Sequence, residues 1–271
     1  MRSRLIPAFF AVAVLAPSAT PVSAVRSAEL DCLIEPYVVV ALSSSVEGLV
    51  EAVTVDRGDL VKEGQVLVRL ESSVEKAAVA VARARAEMES GIQSSQARVE
   101  FGVRRFVRTE GLFKQDLVPL KEMDEAETAK VLAEIGLIEA KENKSLAELE
   151  WERAAAALAL RTIRSPITGV VLERSLSPGE FAKQAPILKL AQIDPLRIEV
   201  IAPVSWLGKV AVGMRAELLP EAPVSGLYAA RVTVVDRVVD AASGTFGVRL
   251  EMPNPGYRLP AGLKCKVRFL Q

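Results

Sequence analysis

The sequence predicts an α+β chain, mostly β. A long antiparallel α-helical coiled-coil hairpin splits one small β-module in two, and a small antiparallel β-barrel follows. Three observations predict it. Two glycine-anchored segments echo each other, Gly48-Leu49-Val50 to Gly58-Asp59 and Gly169-Val170-Val171 to Gly179-Glu180, with Val66-Leu67 and Ile187-Leu188 at the same offset downstream. Between Pro36 and Pro166 there is a single proline, Pro119, near the middle of the stretch. Past Leu190, short alternating apolar runs return between glycine and proline turns.

Composition narrows the function. The 271 residues are 50% hydrophobic but only 5% aromatic, which suits long helices and thin β-modules better than one thick core. Lys+Arg and Asp+Glu both total 34, so no basic field points to nucleic acid. The chain has no histidine, which removes the commonest general base and metal ligand near neutral pH. Two isolated cysteines do not make a zinc site. No catalytic, cofactor-binding or metal residue is therefore assigned.

Residues 1–24 predict an export signal. Arg2 and Arg4 precede the apolar run Leu5–Ala16, and Val22-Ser23-Ala24 offers small residues for cleavage, with Arg26-Ser27-Ala28 as a second candidate. The run is too short to span a bilayer alone; retention as an anchor is the alternative. Export makes a disulfide between Cys32 and Cys265 chemically possible, tying the first mature strand to the last. Two separately buried thiols remain the other reading.

The elements follow in order. Residues 33–42 are β-branched and apolar and predict a strand with an exposed edge at Pro36. Val50, Val53, Val55, Val61 and Leu67 then lie between structural turns at Gly48, Gly58 and Gly64, and the second half repeats this with Gly169 and Gly179. After Glu71 the turns stop. Ser72-Ser73 with Glu75 offers an N-cap. Val74, Val81 and Met88 at one position of a seven-residue repeat, and Ala78, Ile92, Val99 and Phe106 at the other, predict a coiled-coil seam interrupted by Arg85.

The first arm is expected to end near Gln115-Asp116, and Pro119 to open the second, where its missing N–H costs nothing. Val131, Ile135, Ile138 and Leu149 mark the returning stripe. Each arm of roughly 40 residues is about 60 Å long. From Ser72 to Val118 there are eight Lys/Arg and six Asp/Glu; from Pro119 to Arg161, six and ten. That contrast favours pairing between arms or between neighbouring hairpins. Beyond Leu190, Leu196, Ile198 and Val200 alternate, as do Val248 and Leu250, then Val267 and Phe269. They predict a small barrel.

The run from Gly48 to Leu67 resembles half of a lipoyl/biotinyl domain, and Gly169 to Leu188 the other half. In a carrier domain the halves meet at a hairpin bearing a modified lysine. Here about 90 residues occupy that point, and Lys62 and Lys183 lie in glycine-turn segments instead. A lipoyl-like (barrel-sandwich hybrid) module split by a helical hairpin, then a barrel, resembles the periplasmic adaptor (membrane fusion protein, HlyD-like) family of tripartite efflux pumps. Asp194-Pro195-Leu196, Ser243-Gly244-Thr245-Phe246 and Leu259-Pro260-Ala261-Gly262 look like the family's barrel entry and late-barrel pattern.

The resemblance implies a barrel over 25–43 and 192–271, a split lipoyl-like domain over 44–71 and 162–191, and a hairpin over 72–161. It implies a non-catalytic adaptor, without cofactors, located in the periplasm and held at the inner membrane through its transporter. The implied partners are an inner-membrane transporter, of the resistance-nodulation-division (RND) class, a TolC-like outer-membrane channel, and further copies of the chain in a ring. Channel-docking members carry Arg, Leu and Ser at the hairpin tip. Arg108 and Leu112 match, and Pro119 replaces the serine. The end of the sequence at Gln271, after the last expected strand, suggests no further membrane-proximal domain and leaves the barrel, with Trp206 and Tyr228, as the transporter surface. The alternatives are an adaptor of an ABC-type exporter or secretion system and, from another class, a lipoyl/biotinyl carrier domain of an enzyme.

Overall fold

A computed structural model describes residues 29–270; the export-signal segment lies outside them. In chain order the elements are β1 (Leu30–Leu42), β2 (Gly48–Val53), β3 (Leu60–Val61), β4 (Val66–Leu70), α1 (Ser73–Ala86), α2 (Ser90–Phe113), α3 (Leu120–Ala159), β5 (Thr162–Arg164), β6 (Gly169–Arg174), β7 (Phe181–Ala182), β8 (Leu188–Pro203), β9 (Arg215–Pro220), β10 (Tyr228–Val235), β11 (Thr245–Met252) and β12 (Lys264–Phe269).

The twin segments pair reciprocally. Gly48 and Leu49 of β2 face Ala182 and Phe181 of β7, while Gly169 and Val170 of β6 face Val61 and Leu60 of β3. A shift of 121 positions maps one pairing onto the other, Gly48 to Gly169 and Val61 to Ala182. The loop bonds obey the same exchange. Val50 N–H donates to the Glu180 carbonyl at 2.8 Å, and Val171 N–H to the Asp59 carbonyl at 2.9 Å. Asp56 N–H donates to the Asp59 carboxylate at 2.7 Å, and Ser177 N–H to the Glu180 carboxylate at 2.6 Å. The segments are two interlocked halves of one module. Its core contains Val50, Val61, Leu67, Leu70, Val171, Ala182, Ile187 and Leu190.

The glycines divide by role. Gly58 and Gly179, equivalent in the two halves, hold φ of +93° and +89°, backbone that side-chain-bearing residues rarely adopt; Gly64 has positive φ too. Gly48 and Gly169, expected as turns, instead open β2 and β6. A Cβ at Gly169 would overlap the Ala191 carbonyl, and one at Gly48 the Arg161 guanidinium. They are glycine because other groups pass close by.

β1 and β8 run through both β-units. Their register extends from Cys32↔Val200 in the barrel to Leu42↔Leu188 in the split module, with a shift between Pro36 and Val38. The barrel order is β1-β12-β9-β10-β11-β8, closed by β1 on β8. Ile34, Leu196, Ile198, Leu218, Leu250, Met252 and Val267 fill it. Cys32 and Cys265 are direct partners in the β1–β12 register, with Cα atoms 4.8 Å apart, close enough for a bridge.

The helices form two arms side by side. Gly102 adjoins Lys130, Glu89 pairs with Lys144, Arg85 with Glu150, and Glu75 with Arg161. As one number rises the other falls, so the arms run antiparallel.

The seam differs from the expected one. Val74, Val81 and Met88 are 71%, 56% and 63% exposed. Val131, Ile135, Ile138 and Leu149 also face outward. On α3 the inward row carries Ala126, Ala133, Ala140, Ala147 and Ala154, one every seven residues, interleaved with Leu137, Lys144, Trp151 and Leu158. On α2, Ile92, Val99, Phe106 and Phe113 alternate with Ser95, Gly102 and Thr109.

On α1 the inward residues are Glu75, Val79, Ala82 and Ala86. The expected phase, projected back from Ile92, would place Ala78 and Arg85 inside. The helix breaks at residues 87–89, just before Ser90-Gly91, and the repeat shifts by one residue. Gly/Ser pairs are common sites of such kinks. The shift turns Ala86 inward and leaves Arg85 outside, 3.9 Å from Glu150. Three ion pairs among the described residues cross between the arms; the other pairs on the helices are i,i+4 within one arm.

The seam alternates small residues with large ones, and the arms approach most closely at Gly102, where a Cβ would press on the Lys130 backbone. Ala126→Leu should overpack it and destabilise the chain by about 1–3 kcal/mol. Leu132→Ala, on the outer face, should stay within about 0.5 kcal/mol. Urea unfolding followed by circular dichroism measures both, and equal effects would refute the seam.

Candidate partner-contact site at the hairpin tip

The tip begins where α2 runs out. Leu117 N–H donates to the Leu112 carbonyl at 3.0 Å, and Asp116 N–H to the Phe113 carbonyl at 3.0 Å. These nested bonds are a Schellman closure, which satisfies the last helical carbonyls and requires one left-handed residue. Asp116 takes that place at φ 54°, a conformation aspartate tolerates better than most side chains. α2 therefore ends at Phe113, slightly before the expected Gln115-Asp116. Pro119 stands just before the first residue of α3, extended at φ −74° and ψ 157°, and its carbonyl accepts from Glu122 N–H at 3.0 Å.

Arg108 and Leu112 lie four residues apart on α2 and so share a face. Arg108 is exposed and makes no ion pair among the described residues, whereas Lys114 is held by Glu110 at 2.8 Å. Leu112 is half-exposed, and Leu117 and Leu120 extend the apolar tip on either side of Pro119. The geometry thus presents one unpaired cation beside leucines at the far end of a stiff rod. Leu117 and Leu120 were absent from the expected site. Their flanking of the single mid-stretch proline was the available signal.

The rod's base is fixed differently from the sequence expectation. Ser72 occupies the N-cap position of α1 but makes no side-chain cap bond. The Glu71 carboxylate accepts the Ser73 N–H at 2.7 Å instead. Bonding to Ser73, side chain then backbone, holds the Glu71 carboxyl below its ordinary range. Arg161, just past α3, reaches across the base. One guanidinium nitrogen donates to the Glu47 carbonyl at 2.9 Å and the other to Glu75 Oε1 at 2.5 Å. Its own carbonyl accepts Leu70 N–H at 2.8 Å. One residue thereby ties the end of the return arm to the start of the outgoing arm and to the split module.

No group of three or more His, Cys, Asp or Glu converges among the described residues, and none of their helices is long and apolar enough to cross a membrane. Lys62 and Lys183 are exposed at equivalent positions of the two halves, while the apex a carrier domain uses for its lysine is replaced by the hairpin.

A split barrel-sandwich module, a helical hairpin inserted at the split, and a β-barrel joined by shared strands define a membrane fusion protein, the periplasmic adaptor of efflux pumps. The chain belongs to this family: the CzcB-like barrel-sandwich hybrid domain matches residues 38–192, and the CusB-like beta-barrel domain matches residues 196–271.

Among curated relatives, an uncharacterized protein of Haemophilus influenzae is 24% identical over 239 residues, covering 88% of this chain and 56% of its own length. The nickel and cobalt resistance protein CnrB of Cupriavidus metallidurans is 27% identical over 178 residues, 65% of this chain and 43% of its own. The chain spans about half the length of these relatives. Among solved structures, MacA from Actinobacillus actinomycetemcomitans superposes with a TM-score of 0.76 at 20% identity, over 89% of this chain and 77% of that one. The membrane fusion protein Spr0693 from Streptococcus pneumoniae R6 gives 0.64 at 14% identity, over 90% and 99%. These two likenesses concern the fold.

Arg161→Ala removes the ion pair with Glu75, whose two side chains are only 23% and 18% exposed. It should cost about 1.5–3 kcal/mol, the usual worth of hydrogen bonds to charged groups. Hydrogen exchange at residues 71–79 should rise more than in the barrel strands; a uniform rise would contradict a local clamp.

Proposed function

We propose that this chain is a non-catalytic periplasmic adaptor that links an inner-membrane transporter to an outer-membrane channel, with several copies side by side in a ring. The observation that carries the proposal is the hairpin itself: a rod of about 60 Å, stiffened along a small-residue seam, grown from the place where a carrier domain would present its lysine. The arrangement does no covalent chemistry. It provides reach and a contact surface, and the transporter supplies the energy.

In this reading Arg108 donates hydrogen bonds to channel carbonyls or carboxylates. Leu112, with Leu117 and Leu120, fills apolar notches, and Pro119 sets the start of the return arm. The outward stripe Val131, Ile135, Ile138 and Leu149 offers an apolar flank to neighbouring hairpins, which supports a ring. The RND class of transporter is supported by the CusB-like barrel and by a relative named for nickel and cobalt resistance.

Deleting residues 108–119 and joining the arms with a short glycine linker should abolish capture of the outer-membrane channel by the tagged, exported chain. The thermal midpoint of the β-units should be retained, and the native mass of the captured complex should report the number of copies. Undiminished channel capture would overturn the docking assignment.

We also infer that export oxidises Cys32 and Cys265 to the bridge between β1 and β12. Closing a chain separation of 233 residues should contribute on the order of 2–5 kcal/mol. The intact non-reduced mass should lie two hydrogens below the reduced one; equal masses would exclude the bridge.

A further inference from the structure

The first arm is slightly basic and the return arm acidic, yet the outer half of the hairpin does not use this contrast within the chain. The cross-arm ion pairs, Glu75–Arg161, Arg85–Glu150 and Glu89–Lys144, run from the base only as far as the break at residues 87–89. Beyond it the pairs among the described residues stay within one arm. Arg98 and Arg105 of α2 and Glu127 of α3 make no ion pair among the described residues. Glu134 meets Lys130 of its own arm at 3.8 Å, through Oε1 alone.

Helical position explains why these charges stay apart. Arg98, Phe101 and Arg105 each stand one residue before an inward side chain of α2: Val99, Gly102 and Phe106. Glu127, Val131 and Glu134 each stand one residue after an inward side chain of α3: Ala126, Lys130 and Ala133. In antiparallel helices these two offsets turn to opposite faces of the hairpin. Arg98, Phe101 and Arg105 accordingly line a groove with Ala129, Leu132 and Ala133, on the face away from Glu127 and Glu134. Each row carries an exposed apolar side chain between its charges, Phe101 at 63% and Val131 at 44%.

The two rows match level by level. Gly102 adjoins Lys130, so counting residue for residue along the antiparallel arms sets Arg98 level with Glu134, Phe101 with Val131 and Arg105 with Glu127. A second hairpin set parallel beside the first keeps these levels. Its α3 then lies along α2 of the first, with both arginines facing carboxylates and Phe101 facing Val131. Pairing either row with itself brings like charges together instead. The carboxylates on the arginine face, Glu125 and Glu139, pair with neither arginine, and Glu125 meets Lys121 at 3.9 Å. In the acidic row the next charge, Lys141, stands level with Gly91, beyond both arginines. Arg108 continues the basic row at the tip and stays with the channel contact.

We infer that a second copy of this chain docks here, α2 of one hairpin against α3 of the next, with Arg98 on Glu134, Arg105 on Glu127 and Phe101 on Val131. The contact is heterologous: each copy gives its basic row to one neighbour and its acidic row to the other, so repetition leads to a ring and not to a two-fold dimer. The inference rests on the adaptor reading for the presence of neighbouring copies with parallel hairpins.

The test uses two full chains with different tags, one carrying Phe101→Cys and the other Val131→Cys, co-expressed in the cells that export the protein. A short thiol crosslinker should join the 101 chain to the 131 chain, and either variant expressed alone should give no dimer. Arg98→Glu with Arg105→Glu on the first chain should lower the mixed product about tenfold, as should Glu127→Arg with Glu134→Arg on the second. Placing both reversals together, one on each chain, should restore it; that rescue separates pairing from misfolding. No 101–131 product, a 101–101 product of equal yield, or reversal without effect would overturn the inference. A link from 101 or 131 to a protein of another mass, in place of the mixed product, would also overturn it and make this flank a face for that protein. Channel capture by the unsubstituted chain is measured separately, so this contact can fail while the adaptor reading stands.

Discussion

The structure depends on one exchange of strand pairing. β2 completes its ladder only on β7, and β3 only on β6. Neither half of the split module can satisfy its backbone without the other, and unpaired buried amides cost too much to leave. Between the halves the chain must leave and return to one place. β4 fixes that place by pairing with β5, Val66 opposite Arg164 and Arg69 opposite Thr162. Whatever lies between must therefore close on itself, which is why the arms match in length.

That closure transmits position to the tip. Arg161 and Glu75 bind the two arms at their base within 2.5 Å of each other, and the alanine row of α3 keeps them close along their length. A small-residue seam lets backbones approach and leaves little room for side-chain rearrangement. The break before Ser90-Gly91 is accommodated because the repeat resets there, with Ala86 and Ser95 still facing inward. Cation–aromatic contacts also bridge the arms, Lys130 over Phe106 at 5.2 Å and Arg83 over Trp151 at 5.9 Å. Lys130 also pairs with Glu134 at 3.8 Å and Lys144 with Glu89 at 3.0 Å, so the lysines beside the seam keep their charges partnered.

At the other end, β1 and β8 cross from module to barrel as paired strands whose register shifts once, between Pro36 and Val38. Two paired strands resist bending better than a single linker does, so the barrel and the split module are held by a ladder. The barrel distributes its side chains by period two. Apolar residues point in, a mesh of opposite charges points out, and exposed aliphatic groups gather on the loops of one end.

Much of this was legible in the sequence because it is local or periodic. The glycine echo, the lone Pro119, the alternation past Leu190 and the positions of Arg108, Leu112 and Cys32/Cys265 are all linear patterns. The echo showed two related segments but not that each pairs with the other's complement, since strand partners are chosen across space. Ile92, Val99 and Phe106 of α2 face inward as expected, but the seam was misassigned on α1 and α3 for a related reason. Large apolar side chains dominate any periodic count, yet two close helices select small ones, so Ala126 to Ala154 went inside and Ile135 and Ile138 outside. A one-residue slip at the 87–89 break is invisible to a repeat projected through it. Gly48 and Gly169 gave no sign of whether they turned the chain or admitted a neighbour; only Arg161 and Ala191, more than 20 residues away in sequence, decide that. The sequence by itself determined the elements, their order and the hairpin's closure, because these follow from period, propensity and chain connectivity. The tertiary structure alone decided which faces meet, because that depends on the distance between backbones and on which atoms already fill the space.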